Sequence, residues 1–172
     1  MNYPTTPNIE SSSLNEVSPL RDNLLIRAVQ RSDFAEWKPL WDAYNAFYGR
    51  TEDTALPDEI TTMTWSRFFD AYEPMHALVA ERSGHLLGLA HILFHRSTIS
   101  LASVCYLQDL FTSEPARGKG VGRALIEKVY RYAQHAGCSR VYWQTHETNA
   151  TAMNLYDKVA EKSGFLVYRK IL

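Results

Sequence analysis

Two groups of residues in this 172-residue chain have types and spacing that could do chemistry. The first is Arg117-Gly118-Lys119-Gly120-Val121-Gly122-Arg123, which follows the apolar run Tyr106 to Thr112 and precedes a helical pattern. A strand that feeds glycines into a helix start suits phosphate. The N–H groups of the first turn have no helical acceptor, the helix dipole favours an anion, and glycine lets a ligand reach the backbone. The second group is Asn149 and Tyr156. Two helical turns separate them, so a helix presents both on one face. A tyrosine keeps its proton at neutral pH and can donate it. Spacing narrows the phosphate ligand. A P-loop needs Ser or Thr after its Gly-Lys pair, and Gly120 follows Lys119 instead. A dinucleotide fingerprint needs its third glycine where Arg123 stands, and an acid among residues 138–142, which read Cys-Ser-Arg-Val-Tyr. Both nucleotide loops fail.

The elements that must position these residues follow from pattern. Leu24–Val29 reads as a strand, and Asp33 with Glu36 as a capping box opening a helix whose apolar positions run from Phe34 to Phe47. Gly49 stops that helix, and Pro39 inside it predicts a break or kink. Residues 51–59 read as an acidic loop, and Ile60 to Tyr72 as a second helix. After Pro74, Ala77–Ala80 and Leu86–Phe94 form a hairpin about Ser83-Gly84. Ser103–Thr112 is the next strand. Lys119–Ala136 is an amphipathic helix, with Val121, Leu125, Val129 and Ala133 on its core side and Gly137 as its stop. Arg140–Thr145 reads as a buried strand, Asn149 to Lys162 as a helix, and Phe165–Tyr168 as a last strand. Helices interspersed among largely hairpin-connected strands predict an α/β fold, a mixed sheet with helices on both faces.

Composition bounds the partners. A net charge of −1 offers no basic excess for a nucleic-acid backbone. No apolar run reaches the roughly 18–20 residues of a membrane span, and the first residues lack the pattern of a secretory signal. Cys105 and Cys138 lie outside any metal-ligand spacing and read as buried reduced thiols, so a cytoplasmic protein without a metal is expected. Residues 1–22 hold three prolines and a serine run and read as a flexible tail ahead of one domain over residues 23–172.

Arg117 to Gly122 matches Arg/Gln-x-x-Gly-x-Gly/Ala, and the chain from Arg27 onward resembles the GNAT superfamily of N-acetyltransferases. Within it the chain is similar to the small fungal histone acetyltransferases and D-amino-acid N-acetyltransferases. The segments that carry the likeness are Tyr-Leu-Gln-Asp-Leu-Phe-Thr, Arg-Gly-Lys-Gly-Val-Gly-Arg, Val-Tyr-Trp-Gln-Thr-His-Glu-Thr-Asn and Leu-Tyr-Asp-Lys-Val.

The resemblance implies a sheet splayed between two parallel strands, with acetyl-CoA as cosubstrate and an amine as acceptor. It places the CoA diphosphate on the backbone of residues 118–123, with Arg117, Lys119 or Arg123 adding charge. The backbone of Leu110, Phe111 and Thr112 would carry the pantetheine arm, the Leu110 N–H polarising the acetyl carbonyl. Asn149 would bind a pantetheine amide, and Tyr156 would protonate the departing sulfur.

Transfer is expected to be direct, within a ternary complex, since no cysteine stands where a nucleophile is needed. For the base, Gln108 stands where polyamine acetyltransferases carry Glu, and regular alternation turns Asp109 to the opposite strand face. Glu147 and His146 remain as candidates. His91 and His95 read as structural. Tyr44, Tyr48, Glu52, Asp53 and Trp65 are the candidate acceptor walls. The fold's habit of pairing through its C-terminal strand implies a homodimer or a higher homo-oligomer. A non-catalytic CoA-binding module is the alternative, which Asn149 and Tyr156 argue against.

Overall fold

Side-chain parity along two long central strands decides how this chain folds. In the computed structural model, which describes residues 24–172, a five-stranded sheet runs in sequence order. Its strands are β1 (Leu25–Ala28), β2 (Met75–Arg82), β3 (His85–Ser97), β4 (Ser100–Thr112) and β5 (Val141–Tyr142). The first four pair antiparallel, and β5 joins β4 in parallel. The helices are α1 (Phe34–Phe47), α2 (Asp58–Arg67), α3 (Val121–His135) and α4 (Ala150–Tyr156). The tail expected over residues 1–22 lies outside the described residues.

Each sheet face has its own core. Leu78, Ala90, Ile92 and Leu107 pack against Leu125, Ile126 and Val129 of α3. Leu89 and Phe111 pack on the other face against Trp37, Leu40, Trp41 and Tyr44 of α1. Helices thus cover both faces, as expected. The β2–β3 hairpin turns at Ser83-Gly84, where both residues have positive φ (52° and 80°), the geometry a two-residue hairpin loop requires.

Two irregularities shape the functional end of the sheet. The ladder between β3 and β4 pairs His91 with Asp109 and Ile92 with Leu107, which leaves Gln108 as an extra residue in a β-bulge. The bulge reverses parity: Cys105 and Leu107 face α3, whereas Asp109 and Phe111 face α1. The second irregularity is the junction of β4 and β5. They pair only at Cys105–Val141 and Tyr106–Tyr142, so β4 from Leu107 onward is laddered to β3 alone. This is the split between two parallel strands.

Several local expectations are corrected. Asp33 does not cap α1 with its side chain, which instead joins a capping box with Gln30 at the short turn Arg31–Asp33. Its carboxylate takes two bonds from Arg27 (2.6 and 2.9 Å) and one from the Gln30 N–H, while Glu36 accepts from the Leu86 N–H. Asp33 is thus taken by Arg27 and Gln30, and Glu36 by a strand distant in sequence, so the two do not form the expected box at α1. The α1 helix runs unbroken through Pro39. α2 ends at Arg67, because Phe68 turns inward to pack on Trp37 and His91. The strand expected over Arg140–Thr145 shrinks to two half-exposed residues, since the split removes its partner. α4 ends at Tyr156, short of Lys162. The expected last strand does not form among the described residues: Phe165–Tyr168 runs without a ladder and is exposed.

Candidate active site

The glycine loop forms because two backbone positions need the conformational freedom of glycine. Gly118 and Gly120 hold φ of 72° and 82°, the left-handed region that other residues enter at a cost. Gly120 is the residue that opens α3. At Gly122 a Cβ would touch the Leu155 methyl (3.4 Å) and the Thr112 hydroxyl (3.6 Å), so glycine keeps this floor bare. No acid lies in the first turn of α3 to repel an anion. Arg117 folds back across the strand end: its Nε donates to the Thr112 carbonyl (3.3 Å), and its guanidinium lies over the Phe111 ring.

The loop, the open edge of β4 and α4 enclose one cleft of about 560 Å³. Residues 110–112 of β4, Arg117 and Gly118, residues 120–123 of α3, and Asn149 and Tyr156 all line it. Lys119 is exposed and is not among the lining residues. Sequence reasoning passed over Phe47, Thr151 and Leu155, which share the lining. The signal was present, since Ala152 and Leu155 fall on the stripe of α4 that Asn149 and Tyr156 define.

Asn149 opens α4, its Oδ1 accepting from the Ala152 N–H at 3.4 Å and its amide reaching the Thr145 hydroxyl. Tyr156 is seated edge-on against Trp143, ring centroids 5.3 Å apart, and Trp143 in turn meets Tyr130. Burial pushes the Tyr156 phenol up to about 12, with a smaller contribution from Tyr48 across the cleft. Tyr44 of α1 and Tyr48, just past its end, also line the cleft.

The other candidates fall elsewhere. Glu147 and His146 sit on an exposed turn just before Asn149, where His146 Nδ1 bonds the Thr148 hydroxyl. Glu52 lines a separate hollow of about 500 Å³ between α1 and α2. That hollow has mixed charge from Lys38, Arg50, Asp42 and Asp58, and it touches neither the glycine loop nor the split strands. Trp65 packs on Phe34 and Trp37 as core. Cys105 is buried and Cys138 half-buried, and burial raises both thiols, Cys105 to about 12. Neither is a nucleophile at neutral pH.

A split sheet with a glycine-opened helix beside it is the architecture of an acyl-group transferase, and comparison with known proteins identifies which. The family model described as Acetyltransferase (GNAT) family matches residues 37–160, and the chain belongs to that family. It is 36% identical over 153 residues to the D-amino-acid N-acetyltransferase HPA3 of Saccharomyces cerevisiae, a match covering 88% of this chain and 92% of the relative. It is 30% identical over 148 residues to the uncharacterized N-acetyltransferase YhfO of Bacillus subtilis, covering 83% and 94% of the two chains. Among solved structures, the aminoglycoside N-acetyltransferase AAC(6')-Iy in complex with CoA superposes with a TM-score of 0.75 at 17% identity, over 89% of this chain and 97% of that one. The protein is an N-acetyltransferase that moves an acetyl group from acetyl-CoA to an amine.

Proposed function

We propose that the cleft seats acetyl-CoA and delivers its acetyl group to a small primary amine that enters beside α1. One observation carries this reading: the glycine loop, the open edge of β4, Asn149 and Tyr156 line a single cleft. The N–H groups of residues 118–123 hold the diphosphate, with Arg117 and Arg123 beside it and Lys119 reaching in from outside. The residue 110–112 backbone pairs with the pantetheine arm, and the Leu110 N–H donates to the acetyl oxygen as charge develops there. Asn149 donates its amide to the same arm, and Tyr156 donates to the sulfur. Glu147, on the exposed turn before Asn149, draws a cationic amine and takes up its proton through water.

The names of the relatives, D-amino-acid and thialysine N-acetyltransferases, support an amino acid or polyamine-like acceptor over a protein lysine. Aromatic walls from Tyr44 and Tyr48 fit such a ligand. Release of CoA thiol with acetyl-CoA and a panel of D-amino acids, diamines and a lysine peptide tests the assignment. Turnover is expected on a small amine, and tight CoA binding with no turnover on any amine would sink it.

The chain is further proposed to work as a cytoplasmic homodimer. Free thiols fit a reducing compartment, and no described helix is long and apolar enough to cross a membrane. The exposed run of Phe165, Leu166, Val167 and Tyr168 offers a strand to a second copy. Sedimentation should give twice the chain mass, and a truncation after Ser163 should give the monomer. A full-length chain that stays monomeric at tens of micromolar rules the pairing out.

A further inference from the structure

The face of α1 turned away from the sheet carries chemistry that the cleft does not use. The hollow of about 500 Å³ lies there, between α1, the turn that follows it and the start of α2. Two buried polar side chains line it, Asn45 at 4% exposure and Thr61 at 5%. Each is anchored and keeps a hydrogen to spare. The Asn45 amide nitrogen donates to the Trp41 carbonyl (2.8 Å), and its oxygen accepts from Arg50 Nε (2.7 Å), which leaves one amide hydrogen. The Thr61 hydroxyl accepts from the Trp41 indole (3.3 Å), and its own hydrogen meets no acceptor among the described residues.

Arg50 adds a third donor group. Gly49, at φ 76°, turns the chain so that Arg50 folds back on α1, its backbone N–H bonding the Asn45 carbonyl at 3.0 Å. Asn45 holds Nε, and the guanidinium rests over the Tyr48 ring. Its two terminal nitrogens form no ion pair among the described residues, and that edge fits a carboxylate with two parallel bonds. A guanidinium fork, an amide N–H and a hydroxyl, linked to one another through Asn45 and Trp41, make a seat of donors.

The rim has the opposite sign. Lys38 and Asp42 neutralise each other at 2.7 Å across one helical turn. Glu52, in the short turn Glu52–Thr54, and Asp58, in the first turn of α2, are exposed, and neither is in an ion pair among the described residues. Asp58 acts on Lys38 only through space. One guanidinium therefore stands against two carboxylates, and the complement of that pattern is a molecule with one carboxylate and two ammonium groups. The hollow's volume is in the range of small-molecule sites.

We propose that the hollow between α1 and α2 is a second binding site, which takes a free diamino acid of the size of lysine. The carboxylate lies on Arg50 and Thr61, and the two ammonium groups turn to Glu52 and Asp58. This site stands apart from the transfer reaction, because α1 separates the two: Tyr44 lines the cleft and Asn45, the next residue, lines the hollow.

Calorimetry with L-lysine and D-lysine on the full chain, without acetyl-CoA, tests the site. Lysine should bind. Cadaverine, norleucine and 6-aminohexanoate, which lack in turn the carboxylate, the side-chain ammonium and the α-ammonium, should each bind more weakly. Arg50→Lys keeps the charge and loses the fork, and should weaken lysine about 10-fold. Asp58→Asn, an exposed change that leaves the Arg50 turn intact, should weaken it about two- to fivefold, the scale of a solvated ion pair. No binding of either enantiomer up to about 20 mM overturns the proposal. So does an affinity that both substitutions leave unchanged, or cadaverine or norleucine binding as tightly as lysine. Thiol release with the best acceptor separates hollow from cleft. Asp58→Asn should turn over at the parent rate, and a loss parallel to its loss of lysine binding would make the hollow part of the transfer site and overturn the assignment. A parent inactive on every amine sinks the transfer reading alone, since lysine binding is read without turnover.

Discussion

Tyr156 is half-buried beside the cleft, and that burial decides what its phenol can contribute. With its phenol at about 12, Tyr156 is fully protonated across the working pH range. A thiol leaving group has a pKa of about 8.5, so complete transfer from Tyr156 to thiolate would run uphill by about 5 kcal/mol. Its contribution is therefore a hydrogen bond that strengthens as charge reaches the sulfur, with the phenol refilled from the nitrogen as it empties. This sets the size of the expected effect. Tyr156→Phe should lower kcat about 10- to 100-fold, short of the larger losses seen when an outright proton donor is removed. Acetyl-CoA affinity should stay within about twofold, because Trp143 packs against the ring rather than the hydroxyl. The wild-type rate should show no alkaline decline from this group below about pH 11, since an acid is lost only as pH rises through its own pKa. Steady-state kinetics across pH 6–10.5 measures both, and an unchanged kcat would remove Tyr156 from the mechanism.

At the scale of elements, what could be read from the sequence was what local chemistry determines. The turn at Ser83-Gly84, the glycines before α3 and the core stripe of α3 each declare themselves within a few residues, and all three are where pattern placed them. The cleft's glycine loop, Asn149 and Tyr156 were legible for the same reason. The bulge was not. Gln108 has no glycine or proline beside it, and the register shift arises from pairing with His91 and Ile92 across the sheet. Alternation alone therefore could not tell that Leu107 and Asp109 face opposite sides of the sheet. The fate of β5 was equally hidden: Trp143, Gln144 and Thr145 have strand propensity, but the strand stops where β4 turns away. Phe165–Tyr168 shows the complementary case, a segment with the marks of a strand that stays exposed and unpaired by any ladder. Propensity describes readiness to pair, and the partner decides whether pairing occurs.

Across the whole molecule, the sheet separates two cores of different character. The α3 side is aliphatic, and the α1 side is built of stacked indoles and phenols around the His91–Asp109 pair. Five tyrosines, Tyr44, Tyr48, Tyr106, Tyr130 and Tyr156, have phenols that burial holds above their ordinary value. That arrangement couples the fold to alkaline pH, with a sign that follows from linkage. Each phenol binds its proton more tightly folded than unfolded, so its contribution to stability is fully present below about pH 10, the unfolded value. As pH rises past that point the unfolded chain ionises first, and stability falls until the folded phenol ionises too, near 12 for Tyr156. Urea unfolding at steps from pH 8 to 11.5 should show a midpoint that is level to about 10 and then drops. Tyr156→Phe removes one titrating group, so its midpoint should drop less steeply than the parent's over the same interval. A parent midpoint that holds steady to pH 11.5 would mean that the phenols ionise as readily folded as unfolded. The packing described for the α1 core and the α4 helix could not then be what shields them.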